Sequence, residues 1–514
     1  MHVFALFWLI VLTAVFFRLW HLNATPPGLF PDEAMNGNNA HEALRTAPPA
    51  SGFKMFYPEN NGREGLFINL QALSVRVLGH TSFALRFVAA LFGIGTVIAL
   101  YFFVREYTEN KRTALFASFL VATSFWHVLI SRLGFRANMA PFALTAGLAC
   151  LYYAYNRRHD KPHASALIAG VLGGIFFGIG FHSYIAYRIA PLILIPPLLL
   201  FIQSARRDKM GCVLCIPALF LFFTFVAAVP LGYYFLVHPQ DFFGRTAQIS
   251  IFQDPNPLFA LVKNTAKTLQ MFYFAGDFNQ RHNLSGSPEL WWPVAIFFTI
   301  GIVESVRKRY WVLFLWFAIM LLPVVISSEG VPHALRAIVV IPPVFAFAGI
   351  GAAHVWRWFE LHRPFFRIVG KIAMIVLCAA IVYQTGFAYF ITWAKSENTS
   401  RAFGGDLYAI GLFLNRAPLD VPKYVITDEV ESIDRTGRPM ALQPILFVTE
   451  TYLPEPDGYK NIFYKTLKDA PQITCDPQCI IIPLGNREKV KETMIKNIPS
   501  LVEDMSAGFL VLQQ

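Results

Sequence analysis

Apolar runs of about twenty residues, separated by short polar loops, recur from residue 3 to residue 393. A bilayer core of roughly 30 Å takes about twenty apolar residues per helical crossing. On that measure the pattern predicts eleven crossings: 3–20, 82–104, 113–131, 139–155, 164–182, 189–203, 212–237, 290–306, 311–327, 335–356 and 369–393. Val3–Trp20 lacks a basic leader and a small-residue cleavage site, so it reads as a retained helix. Two long polar stretches interrupt the series, at 21–80 and 238–289. The first carries amphipathic pieces at Glu33–Leu44 and Gly65–Leu78, expected to lie on the membrane surface.

From about Ser400 the pattern changes. Long apolar runs stop, and short segments alternate with prolines and charges. YAIGLFLNR and NREKVKETMIKNI read as helices, whereas KYVIT, PILFV, IFYKT and CIIIPL read as strands. The chain therefore divides into a polytopic α-helical membrane domain, 1–395, with 21–80 as its first large loop, and a small α/β domain, 396–514. The tail holds no glycine-rich phosphate loop and no nucleophile motif. No internal repeat of the kind that builds many transporters is visible.

Composition agrees with the pattern: 55% hydrophobic residues, 15% charged, mean hydropathy +0.47. The net charge of +11 is spread over short loops instead of gathered in a stripe, which excludes nucleic acid as a partner. Arg105/Lys111/Arg112, Arg157/Arg158/Lys161, Arg206/Arg207/Lys209, Arg307/Lys308/Arg309 and Arg357/Arg363/Arg367 occupy alternate loops, and the positive-inside rule puts these in the cytoplasm. The polar stretches 21–80 and 238–289 and the tail then face the other side of a plasma or inner membrane. Arg18 runs against the rule. Of six cysteines, Cys150, Cys212, Cys215 and Cys378 lie in apolar runs as packing residues. Cys475 and Cys479, as CDPQC, suit either a small disulfide or two free thiols.

Candidate chemistry gathers on the outer side. Asp32 and Glu33 follow the first crossing, and Arg63-Glu64 precedes an amphipathic helix. The outer ends of later crossings carry SRLGFR (Arg132, Arg136), GFHSYIAYR (His182, Tyr184, Tyr187, Arg188), FNQRHNLSG (Arg281, His282, Asn283) and SSEGVPHALR (Glu329, His333, Arg336). Each has a plain reading: Asp-Glu as solvated surface, the arginines as headgroup contacts or partners of Glu64 and Glu329, His182 as a structural histidine. Together they point further. Guanidinium groups at a membrane face need compensation, and a lipid phosphate supplies it through charge-assisted hydrogen bonds.

PPGLFPDEA, the amphipathic GLFINLQAL, SRLGFRANMAP and VPHALRAIVVIPP together resemble the family 39 glycosyltransferases of the GT-C superfamily, which include protein O-mannosyltransferases and the lipid A aminoarabinose transferase. The resemblance covers roughly residues 1–355. It implies an inverting transfer of a sugar from a polyprenyl-phosphate donor to a lipid, glycan or protein acceptor outside the cytoplasm. In that reading Asp32 is the catalytic base, and Glu33 orients the acceptor or holds the loop. Arg132, Arg136, His333 and Arg336 hold the donor phosphate, while Arg63, Glu64, His182, Tyr187, Arg188, Arg281 and His282 contact substrate. Arg63-Glu64-Gly65 stands where the family often has His/Lys-Pro-Pro. No cofactor is required, and a divalent metal near Asp32 and Glu64 would lack a recognisable ligand spacing. A flippase or transporter of lipid-linked sugars and a membrane scaffold are the competing readings. The odd number of crossings, the missing repeat, the large outer loops and the carboxylate pair at the interface speak against the first, and the scaffold explains the tail but not the arginines.

Overall fold

In a computed structural model the described residues are 2–45, 52–160, 164–208, 213–248, 251–328, 330–427, 433, 437–453 and 459–514. Lys161, Lys209, Cys212 and Glu329 lie outside them. Helix is present at each of the eleven predicted crossings. Seven are long and apolar enough to span a bilayer: His2–Leu19, Ser82–Thr108, Ala164–His182, Ile185–Arg207, Cys215–Val237, Ile338–Leu361 and Pro364–Trp393. Three more, Met139–Asn156, Trp292–Arg307 and Trp311–Val325, are shorter or less apolar. The chain is an integral membrane protein.

The crossing expected at 113–131 is not one straight helix. It breaks between Lys111–Ala122 and Phe125–Ser131, which meet at 61°. Ser124 causes the break locally, because its hydroxyl accepts from the His127 amide as a helix N-cap (3.3 Å). A break inside a bilayer leaves carbonyls without partners, and here they are supplied. The buried Arg18 guanidinium donates to Ala122 O (3.1 Å) and Val121 O (3.3 Å), and Thr385 Oγ1 donates to Thr123 O (2.5 Å). Arg18 also donates to His127 Nδ1 at 2.6 Å. The arginine that defies the charge rule is thus a cap for a broken helix.

Helices form at both segments expected to be amphipathic, Pro31–Leu44 and Gly65–Leu78, but Pro31–Leu44 has no exposed residue and is packed inside the protein. Between them a two-residue hairpin pairs β1 (Phe56–Tyr57) with β2 (Arg63–Glu64), antiparallel. In the tail, β3 (Lys423–Thr427), β4 (Ile462–Thr466), β5 (Ile480–Pro483), β6 (Val502–Asp504) and β7 (Val511–Gln513) form one sheet in the order β4-β3-β5-β7-β6. β4, β3 and β5 run parallel, whereas β7 and β6 pair antiparallel. PILFV is a correction: it lies in the helix Gln443–Thr449, with Pro444 in the first turn. Five consecutive apolar residues carry no period to separate buried strand from buried helix. Cys475 and Cys479 are joined in a disulfide.

The helix Gln443–Thr449 docks the tail onto the helix Pro31–Leu44. Asn38 Nδ2 donates to Gln443 Oε1 (2.7 Å) and O (3.2 Å). Gly37 leaves no room for a side chain, since a Cβ there would fall 2.5 Å from the Phe447 ring. His80 stacks on Phe447 at 4.0 Å and donates from Nε2 to its carbonyl at 2.7 Å.

Burial, and then the neighbouring His41 ring, push the pKa of His80 down to about 4. The unfolded value is about 6.5, so the ring is neutral in both states above that pH and costs nothing there. As pH falls from about 6.5 to about 4, only the unfolded chain gains the proton, and stability is lost across that window. Thermal midpoints measured from pH 7.5 to pH 4.5 should therefore fall less steeply in His80→Gln, which keeps an N–H donor, than in the wild type. Parallel profiles would remove His80 from the acid response.

Candidate active site

The helix Pro31–Leu44 positions the first functional group. Pro31 occupies its first turn, where a missing N–H costs nothing, and Asp32 and Glu33 follow at the positive end of the helix dipole. Successive helical residues point about 100° apart, so the two carboxylates diverge. Asp32 faces a cavity of about 200 Å³, half-buried, and its carboxylate has no hydrogen-bond partner among the described residues. Asn36, one turn on, lines the same cavity.

Glu33 faces the protein interior and is fully buried. It accepts from the Gly134 amide (2.7 Å) and pairs with Arg86 (3.3 Å). Arg86 in turn donates to Pro26 O (2.9 Å) and Gly28 O (2.7 Å), which fixes the turn that delivers Asp32. Of the two roles expected for Glu33, the geometry fits holding the loop. Contact with an acceptor is excluded by its burial.

Strand alternation separates the next pair in the same way. Arg63 lines the cavity, held by Asn36 Oδ1 and Asn39 Oδ1 (2.5 Å each) and by Glu59 O (3.2 Å). Burial pulls its pKa down to about 10, which leaves it charged near neutral pH. Glu64 points the other way, between Arg136 (2.6 Å) and Arg188 (3.9 Å). A metal shared by Asp32 and Glu64 does not fit, because guanidinium groups engage both Glu64 oxygens. Arg136 itself lines the cavity.

The far wall comes from two loops. Arg281 lies over the Phe30 ring at 4.3 Å, and its charge acts on Asp32. His282 and His333 stack at 4.7 Å beside Arg336, whose guanidinium donates to Ser327 Oγ. Asp277 joins the loops. Its Oδ2 accepts from the Ala334 amide (2.9 Å) and lies 3.3 Å from His282 Nδ1 and 3.7 Å from His333 Nδ1. Burial, then the charge of neighbouring groups, lowers His333 to about 3, and burial also lowers His282. Among the described residues, Asp277, His282 and His333 form the group whose donor atoms lie close enough to share a metal ion, all within 4.8 Å.

Asp32, Arg63, Arg136, Arg281, His282, His333 and Arg336 thus meet in one cavity. Arg132 does not join them. Fully buried, it spends four of its five N–H donors inside the protein, on Phe17 O (2.8 Å), Trp20 O (2.7 Å), Thr25 O (2.9 Å) and Tyr389 Oη (3.0 Å). It caps the orphan carbonyls at the end of the first helix and does not line the cavity. His182 donates to Ala227 O (2.8 Å), and the fully buried Tyr187 donates to Phe177 O (3.0 Å). Arg188 donates to Phe242 O (2.7 Å) and reaches the site only through Glu64. Tyr184, a candidate from the sequence, lines the cavity, and so does Asn60, which the sequence did not single out. Asn36 was legible as Asp32's neighbour one turn along. Asp277 and Arg86 carried no such signal.

The membrane helices and the small C-terminal sheet together give an integral membrane protein whose fold is that of a solved polytopic membrane protein, ArnT. Residues 62–243 match the model of the dolichyl-phosphate-mannose-protein mannosyltransferase family, in line with the resemblance read from the sequence. ArnT from Cupriavidus metallidurans in the apo state has the same fold, with TM-score 0.56, 13% identity and coverage of 99% of this chain and 97% of that one. The same protein bound to undecaprenyl phosphate gives TM-score 0.51 at the same identity and coverage. Undecaprenyl phosphate-alpha-4-amino-4-deoxy-L-arabinose arabinosyl transferase 2 of Proteus mirabilis (strain HI4320) is 26% identical over 195 residues, 36% of this chain. The match spans 34% of that relative's length.

Proposed function

We propose that this chain is an inverting glycosyltransferase that moves a sugar from a polyprenyl-phosphate donor to a lipid, glycan or protein acceptor. The observation that carries this is the facing of one unpartnered carboxylate, Asp32, by Arg63, Arg136, Arg281 and Arg336 across a single cavity. A polyprenyl-phosphate leaving group departs as an anion and needs charge stabilisation more than a proton. Preorganised guanidinium groups supply that. The acceptor needs a base, and Asp32 is the carboxylate in the cavity placed to take its proton as the oxygen or nitrogen attacks. Attack from the side opposite the phosphate inverts the anomeric centre. The alternation of basic loops puts the cavity and the tail on the extracytoplasmic face of a cell's inner or plasma membrane. The undecaprenyl phosphate bound by the ArnT of similar fold and the dolichyl-phosphate-mannose in the family description support the donor class. The membrane domain 1–395 performs the transfer in this reading, and the tail 396–514 braces the loop that carries Asp32.

Undecaprenyl phosphate binding to the detergent-purified protein tests the phosphate half of the site. Arg336→Ala should weaken binding by about one to two decades, the equivalent of about 1.5–3 kcal/mol for a charge-assisted contact. Arg336→Lys should recover part of it, since an ammonium keeps the charge without the fork. Unchanged affinity in a well-folded Arg336→Ala protein would take this residue out of the phosphate site.

A further inference from the structure

We propose that the end of the helical bundle away from Asp32 carries a second anion site, built for the headgroup of an anionic phospholipid. A cavity of about 310 Å³ opens there between three helix ends. Thr108 and Asn110 come from the end of Ser82–Thr108 and the turn after it, Lys308 and Tyr310 from the turn after Trp292–Arg307, and Arg357 from the last turns of Ile338–Leu361. Two of these helices fix the location. Ser82–Thr108 begins where Arg86 pairs with Glu33, and Ile338–Leu361 begins just after Arg336. A helix of 27 residues, as Ser82–Thr108 is, measures about 40 Å, so the two cavities lie at opposite ends of the bundle.

Unengaged donors are the first argument. The side chains of Lys308, Arg357 and Tyr310 make no hydrogen bond or ion pair among the described residues. Asn110 uses its side-chain oxygen to cap Lys111–Ala122, accepting from the Arg112 (2.9 Å) and Thr113 (3.1 Å) amides, which leaves its own N–H groups available. The lining holds one acid, Glu304, and its carboxylate is already paired with Arg307 (2.6 Å) and His354 (3.4 Å). Glu109, whose charge acts on Tyr310, lies outside the lining. An ammonium, a guanidinium and two neutral donors therefore face one cavity without a free carboxylate. Phosphate oxygens complement such a set through charge-assisted hydrogen bonds.

The rim shows what carries the phosphate. Trp358 and Leu361 line the cavity and are exposed, and Trp311, one residue past Tyr310, is exposed as well. Tryptophans at the ends of membrane helices sit at the level of the lipid headgroups, and Ser82–Thr108 and Ile338–Leu361 are both apolar spans. A phosphate bound at that depth has apolar side chains beside it against which acyl chains can lie. Basic pockets between membrane helices on the cytoplasmic side take such headgroups, and the orientation proposed above puts this end in the cytoplasm. The site does not depend on the glycosyltransferase reading.

The test uses the full chain, detergent-purified and delipidated, titrated with phosphatidylglycerol or with phosphatidylcholine of the same acyl chains, and read by native mass spectrometry. The wild type should prefer phosphatidylglycerol by about 25-fold, roughly fivefold for each cation near a membrane surface. Lys308→Ala/Arg357→Ala should erase that preference. Both residues are exposed, and monodisperse elution with an unchanged thermal midpoint checks that the variant is folded. Arg363→Ala/Arg367→Ala removes two exposed cations of the same face that do not line the cavity, and Arg336→Ala alters the Asp32 cavity; each should bind phosphatidylglycerol as the wild type does. No preference in the wild type, or a preference retained in Lys308→Ala/Arg357→Ala, would overturn the site. An equal loss in Arg363→Ala/Arg367→Ala would replace it with a diffuse basic surface, and a loss in Arg336→Ala would move the lipid to the other cavity. Displacement of the lipid by excess inorganic phosphate would assign the cavity to a free anion.

Discussion

Asp32→Asn should lower turnover by about 10²–10⁴-fold, the usual contribution of a positioned general base, while the affinity for undecaprenyl phosphate stays near that of the wild type. The side chain keeps its shape and loses only the basic oxygen. Asp32 has no hydrogen-bond partner among the described residues, so no structural bond is given up. The charges that act on it, Arg63 and Arg281, are anchored elsewhere, on Asn36, Asn39 and Asn279. The loss should therefore appear in turnover, with stability and donor binding little changed. Single-turnover transfer from a labelled donor measures it. A fall in donor affinity with chemistry intact would make Asp32 a binding group instead of a base.

Glu33→Ala should behave in the opposite way. Glu33 and Arg86 are both 0% exposed, and their contact is a buried ion pair. Removing one member leaves an uncompensated charge in the interior and typically costs about 3–5 kcal/mol. The Gly134 amide also loses its acceptor, and Arg86 loses the partner that holds it against the 26–28 turn. The protein should unfold at a clearly lower temperature, and activity should drop with the folded fraction. Glu33→Gln, which keeps an acceptor for Gly134, should fall between. Full stability in Glu33→Ala with impaired transfer would return Glu33 to the reaction. Adjacent carboxylates in one loop thus separate into one chemical group and one structural group.

That separation shows what the sequence can and cannot carry. The helices were legible because burial in lipid demands about twenty apolar residues wherever a chain crosses. The bend at Thr123–Ser124 was not, since an N-cap serine inside an apolar run looks like any small polar residue until Arg18 and Thr385 are seen to cover the freed carbonyls. The basic character of the site was legible too. Which arginines serve it was not: Arg132 and Arg136 stand four residues apart at one helix end, yet Arg132 spends its donors on the first helix while Arg136 reaches the cavity. Asp277 was invisible for another reason. It acquires meaning only when the 327–336 loop folds beside it, and no spacing in the chain announces that meeting.

The central claim is that the cavity around Asp32 transfers a sugar off a polyprenyl phosphate. Its most direct test incubates the detergent-purified protein with undecaprenyl-phosphate sugar labelled in the sugar and with solubilised cell-envelope material as the acceptor source. The account predicts that label leaves the polyprenyl phosphate for an envelope component in detergent, with no intact bilayer, and that Asp32→Asn slows this by about 10²–10⁴-fold. Label that remains on the polyprenyl phosphate in detergent, and only changes leaflet when the protein is placed in vesicles, would contradict it.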